Sequence, residues 1–280
     1  MSQLVVPTAA ANLPALALDP EDREALVRAW HELEHPSLAA RLTSVVGTPI
    51  EVGFRLLPGR WYARAHEAIE AGLRKALDTA VSTLAPARDR KPHDRTHRLL
   101  AITTGGVSGF FGLPALVVEL PITTTIMLRA IADVARAEGE DLSDLDARLA
   151  CMQVFALGAR TEDDDAAETG YYGIRLALAM SVSGAMKHLA EHGLSGQGAP
   201  FALRLLSGIA SRFGVAVSEK AAAQALPFVG AAGGALVNAI FMQHFIDAAR
   251  AHFTVRRLER KYGAGFVQSE YERLVAAERR

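Results

Sequence analysis

Cysteine, aromatic side chains and net charge are all scarce in this sequence, and each scarcity closes off a class of protein. A single cysteine, Cys151, among 280 residues excludes an internal disulfide framework and suits a reducing compartment. The 30 Lys and Arg residues stand against 31 Asp and Glu, a formal net charge of -1. That balance speaks against a nucleic-acid binder built on bulk positive charge. Aromatics make up 6% of a chain that is 50% hydrophobic, so Ala, Leu, Val and Gly carry the apolar content. Strand alternation is missing too, with Ile50 to Leu57 the one short candidate. Met1 to Leu18 has no basic stretch ahead of its apolar residues, so it reads as a loose leader rather than a signal peptide.

What is present is helical periodicity. Asp19 and Pro20 suit the start of a helix, with Leu26, Val27, Trp30 and Leu33 along one face and Pro36 behind it. Trp61, Ala65, Ile69, Leu73, Leu77, Val81 and Leu84 recur at helical spacing, the clearest amphipathic helix of the chain. Further helices are expected over Asp141 to Ala156, from Thr161 to about His192, and over Phe201 to Phe213, the last ended by Gly214, with Ser218 capping the next. The expected class is all-α: a multi-helix bundle forming one domain over 19–280, after a leader of 1–18. Leu113-Pro114 leading to Asp133 to Glu138 weakly echoes Leu226-Pro227 leading to Asp247 to His252, as Ala-rich helix ends often do.

Two apolar runs stand out. Leu99 to Leu128 carries one charge, Glu119, and contains Gly105, Gly106, Gly109, Gly112, Pro114 and Pro121. Ala221 to Met242 carries none and contains Pro227, Gly230, Gly233, Gly234 and Asn238. Each is long enough to cross a bilayer. Each also fits the centre of a helical bundle, where small residues let helices approach closely. Basic sequence flanks both, at Arg88 to Arg98 and Arg250 to Lys261, as anionic headgroups would favour. A buried Glu119 needs a partner, and Arg129 is the nearest basic residue in sequence.

Six of the nine histidines form three i,i+4 pairs, His31/His35, His93/His97 and His188/His192. His31-Glu32-Leu33-Glu34-His35 matches H-E-x-x-H, in which two His hold zinc and the first Glu acts as base. Yet Leu26, Trp30 and Leu33 mark the buried face, and both histidines project away from it. Solvent-facing histidines are therefore the expectation, with no cofactor. The alternative is a zinc-dependent hydrolase using His31, His35 and Glu32. His188 and His192 suit a helix C-terminus, and a metal there is again the alternative.

Several motifs in order resemble the EcsC family of bacterial proteins. They are Gly105 to Gly112 with Leu113-Pro114, Glu119-Leu120-Pro121, Arg129, and Val154 to Arg160. Gly170-Tyr171-Tyr172 follows, then Ser218-Glu219-Lys220, then Pro227, Gly230 and Asn238 to Phe241. The resemblance spans roughly Leu26 to Tyr271. It implies a helical accessory protein at a membrane, since the founding member is encoded beside an ATP-binding-cassette (ABC) transporter, and it implies no reaction. The expected function is non-enzymatic: the Gly-rich apolar helices pack together and dip into the bilayer or dock on a membrane protein's helices, the protein being cytoplasmic and peripheral to or inserted in the inner membrane. A soluble module holding an apolar ligand between those helices is a further alternative.

Overall fold

A computed structural model describes residues 17–35, 38–83, 113–159, 170–179, 200–226 and 230–279. Every regular element among them is a helix. Pro20 opens α1 (Pro20–Glu34), where its missing N–H costs nothing and acidic Glu21 and Asp22 meet the positive helix end. Asp19 does not cap α1 through its side chain. That carboxylate instead accepts from Lys261 Nζ and the Tyr262 hydroxyl, each at 2.8 Å. Leu18, assigned to the leader, packs against the core.

α2 (Leu38–Val46) ends at Gly47, whose φ of 72° favours glycine. The one short strand candidate, Ile50 to Leu57, is α3 (Ile50–Phe54) and a turn, in keeping with the all-α class expected. The segment is short and its Gly53 lies flush on a helix rather than a sheet: a Cβ there would strike the backbone carbonyl of Ala222. α4 (Trp61–Thr83) follows its periodicity, burying Trp61, Ala65, Ile69, Leu73 and Leu77.

α5 (Leu113–Ala137) carries the described part of the first apolar run and passes through Pro121 without ending. Thr124 and Thr125 donate to the carbonyls of Leu120 and Pro121 at 2.7 and 2.9 Å, a back-bonding pattern that bends helices. α6 (Leu145–Leu157) starts later than expected, where the Asp144 side chain caps the Asp146 N–H at 3.1 Å. Residues 171–179 are also helical.

α7 (Pro200–Ala225) runs straight through Gly214, and Ser218 donates to the Gly214 carbonyl at 2.8 Å rather than capping a new helix. The second apolar run is therefore split. Its first residues close α7, and the rest opens α8 (Gly230–Tyr262). α9 (Ala264–Glu278) begins after Gly263, at φ 91°.

One core cluster draws on every labelled helix and on 171–179. α5 lies on α4 and α8, α1 on α8, and α7 on α3, α4 and α6. Phe155, Phe213, Phe241 and Phe245 join α6, α7 and α8, with neighbouring ring centroids 5.1 to 6.1 Å apart. Among the described residues no helix is long and apolar enough to cross a membrane. α5 and α8 each hold the Asp–Arg pair of the sequence echo, Asp133–Arg136 at 2.7 Å and Asp247–Arg250 at 3.2 Å.

Candidate functional site

Glu119 and Asn238 of the two apolar runs come to one place through a third residue, Lys220, which the sequence marked only as part of the family resemblance. Glu119 on α5 and Asn238 on α8 are both buried. Between them lies Lys220 of α7, 0% exposed, in step with Phe213, Ala216 and Val217 on that helix's buried face. Its Nζ donates to Asn238 Oδ1 at 2.6 Å and to Glu119 Oε1 at 3.3 Å. The ammonium also sits 4.9 Å from the Phe241 ring centroid, near enough for a cation–π contribution. Thr123 donates to the same Glu119 oxygen at 3.0 Å, while Glu119 Oε2 is buried without a partner. Burial pushes the Lys220 amine below its ordinary range, and Glu119 opposes that shift.

The clue to Lys220 was positional. It is the last charge before the second apolar run, at a core register of its helix. Arg129, the expected partner of Glu119, is exposed: ten residues of helix place it about 15 Å along α5 and about 80° around it. It ends a stripe on which Val118, Ile122, Thr125 and Ile126 alternate with the buried face. Val118 is 73% exposed and Ile122 48%.

Gly105, Gly109 and Gly112 lie outside the described residues, and Gly230 opens α8. Gly233 is half-buried on α8. Pro114 stands in the first turn of α5. The close approach on α5 is made by Gly72 of α4, where a Cβ would lie 3.1 Å from Thr124 Oγ1 and 3.3 Å from Pro121 Cα.

The H-E-x-x-H segment closes α1. His31 and His35 are exposed, their ring centroids 5.3 Å apart, and His35 Nε2 meets Glu278 at 2.9 Å. Arg41 Nη2 donates to both carboxylate oxygens of Glu32, at 2.7 and 3.0 Å, and Arg41 Nη1 donates to Asp247 at 2.8 Å. A carboxylate so held is not placed as a free base. Glu34 faces inward: it accepts the Tyr171 N–H at 3.0 Å and the Tyr271 hydroxyl at 2.9 Å. Gly170 lets it come that near, since a Cβ there would lie 2.9 Å from both carboxylate oxygens. The motif thus works as a pair of carboxylate clamps. Among the described residues no group of three or more His, Cys, Asp or Glu side chains could hold a metal ion. His188 and His192 lie outside those residues.

Above the Glu34 clamp, the Tyr171 hydroxyl lies 2.9 Å from His252 Nδ1 and accepts from Arg175 at 3.1 Å. Arg175 makes a bidentate pair with Glu259 at 2.7 and 3.1 Å. Burial holds the His252 imidazole well below its ordinary range, so it is neutral.

Compared with known proteins, the chain matches the family model described as the EcsC protein family over residues 22–258. That match starts in α1 and ends in α8, so α9, which the sequence resemblance reached at Tyr271, lies beyond it. No curated protein and no solved structure matches the chain.

Proposed function

The chain belongs to the EcsC protein family, and from that membership we propose a non-enzymatic accessory protein that docks, through α5, on the apolar helices of a membrane protein such as an ABC transporter. One observation carries the reading. Val118, Ile122, Ile126 and Arg129 sit at i, i+4, i+8 and i+11 on one helix, and the two N-terminal members are open to solvent. Spacing of this kind presents apolar anchors along one side of a helix, as helix-to-helix recognition requires. Among the described residues neither Val118 nor Ile122 belongs to the core cluster. Behind the stripe, the Lys220 contact fixes α5 against α7 and α8, so that the face is presented in one orientation.

The test is fractionation of cells expressing the full chain, with the membrane pellet washed in alkaline carbonate. Membrane recovery before the wash and release by it are expected for docking. A V118N/I122N variant should shift to the unsedimented fraction with its melting temperature unchanged. Equal membrane recovery of this variant and the parent would overturn the proposal.

A further inference from the structure

We propose a second surface, formed by residues 45–64, that binds bilayers bearing anionic headgroups. It rests on the reading of this chain as a membrane-associated protein, but on different residues. Nine large apolar side chains are exposed among the described residues, and four of them fall in this one stretch. They are Val45, Val52, Leu56 and Tyr62, each between 44% and 54% exposed. Arg55, Arg60 and Arg64 are interleaved with them, all exposed, and none makes an ion pair among the described residues. The single acid within the stretch is Glu51.

The stretch is mounted firmly. α3 turns Ile50 and Gly53 inward, Gly53 against the Ala222 backbone, which leaves Glu51, Val52, Arg55 and Leu56 on the outer side. Pro49 precedes α3, and Pro58 accepts the Trp61 N–H at 2.8 Å, so a tight turn leads from one helix to the next. Trp61 is buried and Tyr62 beside it is exposed, which anchors the start of α4 with a tyrosine facing out. A surface already held in shape loses little freedom on docking.

The chemistry selects the occupant. Unpaired arginines call for anionic groups, and valine, leucine and tyrosine beside them call for an apolar phase within a side chain's length. An anionic bilayer supplies both at one plane, with tyrosine at its preferred depth. A nucleic acid would leave the aliphatic side chains without a counterpart.

The experiment is flotation of the full chain with two kinds of vesicle, phosphatidylcholine alone and phosphatidylcholine with phosphatidylglycerol in equal parts. Binding to the second kind alone is expected, weakening as salt is raised. An R55Q/R60Q/R64Q variant should bind about 100-fold more weakly, from roughly fivefold per arginine. The three sites are on the surface, and an unchanged melting temperature would establish that the variant folds. The salt titration of the unaltered protein provides a readout independent of any variant. Equal binding to both vesicles, binding to neither, or undiminished binding by the triple variant would overturn the proposal. Loss of vesicle binding by the arginine variant with retention by V118N/I122N would separate this surface from the α5 stripe. If the arginine variant stays with cellular membranes while V118N/I122N does not, the docking reading stands and this one falls.

Discussion

Lys220 Nζ lies 3.3 Å from Glu119 Oε1 across the junction of α5 and α7, with the lysine side chain fully out of water and the glutamate nearly so. Desolvating two charges costs about as much as their attraction returns, so the pair fixes which helices meet more than how tightly they hold. Removing one partner is a different matter. K220M should destabilise the protein by about 3–5 kcal/mol, because Glu119 is left buried and unpaired. E119L/K220M should recover most of that loss. Urea unfolding of the single and double variants reads both values.

The two glutamates of the H-E-x-x-H segment should separate from its histidines in a stability assay. E34A removes the acceptor of the Tyr171 amide and the Tyr271 hydroxyl and should cost about 1–3 kcal/mol. H31A, at an exposed position, should stay within about 0.5 kcal/mol of the parent. The reverse ranking in thermal melts, or zinc in stoichiometric amount lost on H31A, would restore a metal role to the segment.

Gly53 tests the mounting of α3. G53A places a methyl group into the Ala222 carbonyl and should destabilise by about 1–3 kcal/mol through overpacking. G59A, where an added Cβ meets nothing within 4 Å, serves as the control. Equal melting temperatures for the two would contradict the close approach of α3 and α7.

Acid should unfold the protein in two stages. Burial lowers the His244 imidazole to about 4, against an ordinary 6.5, although its Nε2–H donates to the Gly158 carbonyl at 2.5 Å. The unfolded chain then binds the extra proton first, so stability present above pH 6.5 falls as the pH drops towards 4. Asp22 follows. Hydrogen bonds from Lys261 and Arg257 hold its carboxyl at about 2, against 3.8, so its contribution is full above 3.8 and lost towards 2. Stability measured against pH should fall less steeply over the upper window in H244Q, where the buried His252 supplies the rest of the slope, and less steeply over the lower one in D22N, where Asp19 remains.

Helical class was legible wherever apolar spacing was strong, as over Trp61 to Thr83, and where Pro20 or Gly47 marked an end. Gly214 misled because a glycine can continue a helix that is packed on both sides; its open side faces Ile69, 3.7 Å from where a Cβ would be. Ile50 to Leu57 stayed a bare strand candidate because a single helical turn has too few residues for a period to show. Glu119 and Asn238 stood out as polar residues in apolar runs. Their connection did not, because it passes through Lys220, 101 residues from Glu119, and only the packing of three helices brings them together. Arg129 was chosen for nearness in sequence, which a helix converts into about 15 Å of separation along its axis.

α8 has 33 residues and no proline, about 50 Å of unbroken rod. Asn238 near its start touches Lys220, and Arg256, Arg257 and Lys261 near its end grip Glu140, Glu138 and Asp22. A rod gripped at both ends behaves as a lever. Tilting it at the glycine end, beside α5, must drag the far carboxylates of α1 and the α5–α6 turn or tear them loose. The two ends of the molecule therefore share one mechanical degree of freedom.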